Sequence, residues 1–195
     1  MEVTLIDSPV ANVANIARAL RFVDAELRIT RDPSIIASAK KIVLPGVGSF
    51  VAAMKWLCDS RIDVALRDAV DRGASLLGIC VGHQLLFESS DEMGTTRGLG
   101  LIPGEVRKFE GSLPVPQIGW NRVTFTPSPL FEGVESFYFV NSYAASNVES
   151  EIARADYGGA FTAAVQRDRV FGVQFHPEKS STAGLRVLRN FVAWK

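Results

Sequence analysis

Two short runs carry side chains able to do covalent chemistry: Gly78-Ile79-Cys80-Val81-Gly82 and, about a hundred residues later, His176-Pro177-Glu178. A cysteine sulfur attacks carbonyl carbon as its thiolate, and an imidazole can take up the proton and return it to a leaving group. A carboxylate beside the imidazole holds its tautomer and stabilises its charged form. Brought together, Cys80, His176 and Glu178 would perform acyl transfer through a thioester.

Such chemistry needs elements that aim the groups. Leu76, Leu77 and Ile79 read as the end of a buried strand, and Gln84 to Glu88 has the composition of a helix start. The glycines between them suit a strained strand-to-helix turn that lifts the cysteine out of the sheet. A helix N-terminus there would favour the thiolate, and the Val81 N–H could hold a developing oxyanion. The competing reading, a cysteine serving as a small buried hydrophobe, holds unless a base is found.

Only two histidines exist, His83 and His176, so the choice of base is binary. His176 ends the strand-like run Arg169 to Phe175, and Pro177 keeps it out of a helix. Glu178 follows close enough to reach back to it. His83 is the weaker candidate, because it falls in the first turn after Cys80, where the helix dipole opposes protonation. Cys58 lies in the amphipathic stretch Phe50 to Cys58 and reads as a core or half-exposed structural residue. A further glycine turn, Pro45-Gly46-Val47-Gly48-Ser49-Phe50, follows a third strand. It reads either as a plain connection or as a backbone strip offering the N–H groups of Val47 and Gly48 to an oxyanion.

Composition narrows the class. The 195 residues suit one domain spanning 1–195, and 47% hydrophobic with 22% charged residues is an ordinary globular balance. Lys plus Arg equals Asp plus Glu at 21 each, so no general pull toward nucleic acid or a membrane surface is expected. Neither a signal-like start nor an apolar run of transmembrane length is visible, which predicts a cytoplasmic protein. Two cysteines, neither with a metal-type Cys/His neighbour pattern, predict neither a disulfide scaffold nor a metal site, and no cofactor is expected.

Along the chain, strand-like Val3 to Ile6, Ala25 to Ile29 and Lys41 to Leu44 alternate with helical patterns at Val13 to Leu20 and Pro33 to Lys40. Asp32 caps the second of these, with Pro33 at its first position. An apolar helical face at Ile62, Ala65, Leu66, Ala69 and Val70 precedes the elbow. The polar run from Ser89 through Gly94 to Gly100 is a loop near the nucleophile. From Leu101 to Gln166 short strands of hairpin type take over, and Leu185, Leu188, Phe191 and Val192 mark a closing helix. The fold class is therefore α/β: an open, mostly parallel twisted sheet with helices on both faces and added antiparallel strands. Ligands of such sheets bind outside the carboxyl ends of the strands, where the two glycine turns can share a crevice.

With these residues in place, the chain resembles the class I, triad-type glutamine amidotransferases over nearly its whole length. The resemblance rests on Gly78 to Gln84 and on His176-Pro177-Glu178. Within that class it is similar to the glutaminase subunits of imidazole glycerol phosphate synthases, through Pro45 to Phe50, Ile118-Gly119-Trp120-Asn121, Tyr138 to Tyr143 and Phe175 to Ser180. The chain departs from the usual pattern at His83, at Gln117-Ile118, at Asn141 and at Ser8 to Asn12.

The resemblance implies that Cys80 attacks the side-chain amide of L-glutamine, that Gln84 and Glu92 hold the substrate's polar ends, and that backbone at Ser142 and Tyr143 adds contacts. It further implies a cyclase partner built as a (β/α)8 barrel, joined as a heterodimer, which receives the ammonia. Trp120, Tyr138 and Lys179 are the interface candidates. Glutaminase components of anthranilate-type or aminodeoxychorismate-type synthases remain an alternative, as does a cysteine peptidase or deglycase. A non-catalytic binding module would not need Cys80, His176 and Glu178 together.

Overall fold

The computed structural model describes residues 2–131 and 135–195. In the first half, strands β1 (Glu2–Ile6), β2 (Glu26–Thr30), β3 (Lys41–Gly46) and β4 (Ser75–Cys80) alternate with helices α1 (Val13–Phe22), α2 (Pro33–Ser38), α3 (Phe50–Asp59) and α4 (Ile62–Asp71). A single helical turn, α5 (Val81–Gln84), leads into β5 (Phe87–Ser90), β6 (Thr96–Arg97) and β7 (Ile102–Lys108). Strands β8 (Gln117–Phe125), β9 (Glu135–Asn141), β10 (Tyr143–Ala145), β11 (Glu151–Asp156), β12 (Ala160–Arg167) and β13 (Val170–Val173) follow, and helix α6 (Ser181–Ala193) closes the fold.

Nine strands form the main sheet in the order β2-β1-β3-β4-β13-β12-β11-β8-β9. The first five run parallel, and from β13 onward each neighbour is antiparallel. Every residue of β3, β4 and β13 is buried. Successive side chains point to opposite faces, so continuous burial means that both faces are covered. Helices α1 and α6 pack together, and α4 packs against α2 and α3. The α/β class with added antiparallel strands is as expected, and the antiparallel half comes from the region of short runs after Leu101.

The predicted cap of α2 forms, and a further one stands at the start of α3. Asp32 accepts from the Ser34 N–H at 2.8 Å with Pro33 at the first position of α2, and Ser49 caps α3 by accepting from Ala52 at 3.1 Å. Two local expectations fail: the run from Ser89 to Gly100 is not all loop, since it holds the end of β5 and the whole of β6, and Gln84 to Glu88 is not a helix. Only Val81–Gln84 is helical, and Glu88 lies in β5. Phe87 is fully buried and registers with Ile102, while the Leu86 carbonyl accepts from both Leu101 and Ile102. Pairing with a distant strand has overridden local helix preference. The helix dipole behind Cys80 is accordingly that of one turn.

A four-stranded sheet, β10-β7-β5-β6, stands beside the main one. The chain passes from β9 to β10 at Ser142, whose carbonyl accepts from Phe109 at 2.9 Å. This passage makes one wall of the cavity described next. Among the described residues, no helix is long and apolar enough to cross a membrane.

Candidate active site

Strand β4 sits between β3 and β13, all parallel, with Gly46 in register with Cys80 and Val173 with Ile79. Three loops at one sheet edge therefore become neighbours: Val47 to Ser49 after β3, the elbow after β4, and Gln174 to His176 after β13. They line one cavity of about 380 Å3, together with Gln84, Glu92, Pro116, Val140, Asn141, Ser142, Tyr143 and Lys179.

Cys80 has φ 56° and ψ −112°, a conformation that side-chain-bearing residues rarely adopt. Close backbone approach at two glycines holds it there. A Cβ at Gly78 would collide with the peptide of Gly82, and one at Gly82 with the carbonyl of Leu44. The elbow can therefore pack onto β3 and β4 only without those side chains. Cys80 is 4% exposed, so its sulfur meets the cavity and little else.

His176 reaches the same cavity from an extended segment. Its N–H donates to the Tyr138 carbonyl at 2.9 Å, and its carbonyl accepts from the Ser180 hydroxyl at 2.6 Å. Ser180 Oγ in turn accepts from the Tyr138 N–H at 2.9 Å, which ties the loop to β9. The imidazole Nδ1 lies 2.9 Å from Glu178 Oε1, leaving Nε2 for the sulfur side. Burial alone would push the imidazole down, but Cys80 and Glu178 on its two sides outweigh it and raise His176 to about 10. A charged imidazole beside the sulfur is what donation to a leaving amine requires.

His83 does not reach the cavity. It is fully buried over Gly172, with its ring edge-on to Phe87 at 5.1 Å, and neither ring nitrogen has a hydrogen-bond partner. Burial drives it down to about 3, so it stays neutral. Cys58 is exposed on α3.

The strip after β3 differs from its simplest expectation. Val47 and Gly48 line the cavity, but the Val47 N–H donates to the Val10 carbonyl at 2.8 Å. As it stands, that donor is turned away from the sulfur. Gly48 has φ +84° and open space around it, so the strip meets no packing obstacle there. Val81 opens α5, where first-turn N–H groups lack partners within the helix.

On the opposite wall, Gln84 Nε2 donates to the Tyr143 carbonyl at 2.9 Å and to Gln174 Oε1 at 3.0 Å. Glu92 Oε2 accepts from the Phe50 N–H at 2.6 Å. With both Gln84 hydrogens taken, its carbonyl oxygen and Glu92 give this wall acceptors, suited to an ammonium group. At the rim, Lys179 Nζ stands 5.8 Å from the Tyr138 ring centre and Trp120 lies edge-on to Tyr138 at 6.2 Å. Trp120 and Ile118, on one face of β8, are 56% and 64% exposed.

Residues without an assigned role in the sequence also line the site, Pro116 and Val140, while Gln174 stands behind its wall against Gln84 and Cys80. For Gln174 a signal existed, since residues two apart in an extended run share a face, and His176 was already placed.

A family model described as glutamine amidotransferase class-I matches residues 4–194. Imidazole glycerol phosphate synthase subunit HisH of Herpetosiphon aurantiacus is 43% identical, the match covering 97% of this chain and 93% of that one. The protein of the same name from Caulobacter vibrioides is also 43% identical, over 99% and 98%. Among solved structures, a crystal structure of glutamine amidotransferase superposes with a TM-score of 0.79 at 20% identity, covering 97% of this chain and 96% of that chain. The structure of PurLQS from Thermotoga maritima gives 0.74 at 17%, again over 97% and 96%. At such identities the structures speak for the fold. The family match and the 43% relatives together show that this chain belongs to the class-I glutamine amidotransferases.

Proposed function

We propose that this chain is the glutaminase subunit of an imidazole glycerol phosphate synthase in histidine biosynthesis, cleaving L-glutamine through a thioester on Cys80. The observation that carries the reading is the convergence of Cys80 and His176 from two adjacent strand ends on one cavity, with Glu178 bonded to the far side of the imidazole. The HisH relatives at 43% identity supply the pathway.

In this reading Gln84 Oε1 and Glu92 accept from the substrate's ammonium, and backbone around Ser142 and Tyr143 meets its carboxylate. The sulfur attacks the side-chain carbonyl carbon while His176 holds the sulfur's proton. The resulting oxyanion is held by the Val81 N–H and by the strip of Val47 and Gly48 once it turns. Collapse breaks the C–N bond as His176 protonates the departing ammonia. Water, deprotonated by the now neutral imidazole, then hydrolyses the γ-glutamyl thioester to glutamate and frees the sulfur. Glu178 keeps Nδ1 protonated and stabilises the imidazolium throughout. No cofactor enters these steps.

The ammonia is consumed by a partner. A cyclase of (β/α)8-barrel form docks as a heterodimer over the rim marked by Trp120, Tyr138 and Lys179, and produces imidazole glycerol phosphate and an aminoimidazole carboxamide ribotide. A cytoplasmic setting suits the two unpaired thiols, Cys58 and Cys80. The test is glutamate release by the purified chain mixed with a candidate cyclase. Release that depends on Cys80 supports the reading, and its absence with every cyclase of this type rejects it.

A further inference from the structure

Gln174 is fully buried, carries no charge and sits between two groups the reaction uses. Its Oε1 accepts from Gln84 Nε2 at 3.0 Å, and its Nε2 faces Cys80 Sγ at 4.0 Å, the long end of N–H···S contact. The extended segment Gln174-Phe175-His176 explains how it arrives there. Phe175 turns into the aromatic cluster and stacks on Phe137 at 4.0 Å between ring centres, so residues 174 and 176 share the opposite face, toward the sulfur.

The direction of this chain of bonds is dictated from its far end. A backbone carbonyl can only accept, so the contact of Gln84 with Tyr143 at 2.9 Å requires the amide nitrogen of Gln84 there. That nitrogen has two hydrogens, and the second goes to Gln174. Gln174 must therefore present its oxygen to Gln84 and its N–H group to the sulfur. Apart from the His176 imidazole, the sulfur also meets the Val140 carbonyl at 3.8 Å, which a thiol can donate to but which repels a thiolate. An N–H on the other side favours the charged form.

We propose that Gln174 is a positioning residue for the thioester chemistry, oriented by the Tyr143 carbonyl through Gln84, which holds the Cys80 sulfur toward the cavity and favours its thiolate. The same bonds keep the Gln84 carbonyl oxygen pointed at the substrate site, so substrate binding and nucleophile are set by one fixed amide pair. This deepens the glutaminase reading and rests on it only for the steady-state arm of the test.

The experiment follows alkylation of Cys80 by iodoacetamide against pH, with the modified residue identified by mass spectrometry so that exposed Cys58 does not contribute. Gln174→Met should move the midpoint of the Cys80 profile up by about 0.5–1 pH unit, the scale of one lost hydrogen bond to a charged group. Gln84→Met should shift it in the same direction, although Gln84 makes no hydrogen bond to the sulfur, because it frees the Gln174 amide to turn. The double variant should show little further shift. In the complex with its cyclase, Gln174→Met should lower kcat for glutamine about tenfold, and Gln84→Met should mainly raise KM. An unmoved alkylation midpoint in a Gln174→Met protein that melts like the parent overturns the proposal. If that variant does not fold, Gln84→Met decides alone, and an unmoved midpoint there is equally fatal. Absence of glutamine turnover in the parent complex would reject the glutaminase reading while leaving the alkylation comparison intact.

Discussion

The backbone N–H of Val47 donates to the carbonyl of Val10 across 2.8 Å, and this bond ties the loop after β3 to the segment before α1. A donor so engaged cannot serve an oxyanion at Cys80 until it lets go. Loss of one oxyanion donor costs roughly 10²–10³ in kcat. The isolated chain should therefore turn over glutamine slower by about that factor than the chain bound to a cyclase carrying its ligand. Glutamate release measured with and without the partner checks this, and equal rates would count against a turning strip.

Replacement of Cys80 by alanine should abolish glutamine-dependent synthesis in the complex and leave synthesis from added ammonium salts intact. A glutamine-like diazoketone should label Cys80 and spare Cys58. Labelling of Cys58 instead would contradict the placement of the nucleophile.

The charged state of His176 persists to about pH 10. The proton that the leaving ammonia requires is thus present throughout the neutral range and is lost as pH rises through that value. Glu178→Gln removes one of the groups raising the imidazole, so the alkaline limb of kcat should move down by about 1–2 units. Stability should follow the same sign. The contribution of His176 is complete below its unfolded value of about 6.5 and disappears as pH climbs through about 10. Denaturant titrations of parent and His176→Gln between pH 6 and 10.5 should converge at the alkaline end.

His83 behaves oppositely. Its folded value of about 3 lies far below the ordinary 6.5, so the unfolded chain binds the extra proton and stability falls as pH drops through that window. A gap of about 3.5 units corresponds to roughly 5 kcal/mol at most. His83→Met fills the same space over Gly172 without two unpaired nitrogens. It should be neutral to stabilising at pH 7, by up to about 2 kcal/mol, and should lose less stability on acidification than the parent.

Lys41 opens β3 and is 4% exposed, with Nζ donating to the carbonyls of Phe191 at 2.8 Å and Val192 at 2.9 Å and also to Trp194. It closes the C-terminal end of α6. Burial, with help from Arg169, lowers it to about 8. Lys41→Met removes the donor these carbonyls share and should cost about 2–3 kcal/mol in urea unfolding, with glutamine turnover of the folded fraction unchanged.

Much of this architecture was legible in local pattern. Alternating strand and helix signals announced the parallel half, because fully buried strands read as apolar runs and their covering helices as amphipathic ones. Asp32 and Pro33 marked a helix start, with Asp32 capping through a bond made two residues away. Gln84 to Glu88 misled because Phe87 is committed to a partner strand fifteen residues on, and no local signal reports such pairing.

The sequence by itself determined the chemistry available: one thiol flanked by glycines, one imidazole outside a helix and one carboxylate two residues beyond it. These are properties of residue type and short spacing, which local sterics govern. Tertiary structure decided the rest. Strand order put β3, β4 and β13 side by side, burial left His83 neutral, Cys80 and Glu178 kept His176 charged against its burial, and the carbonyl of Tyr143 set which way two amides face. Each of those depends on groups far apart in the chain, whose meeting only the packed sheet can arrange.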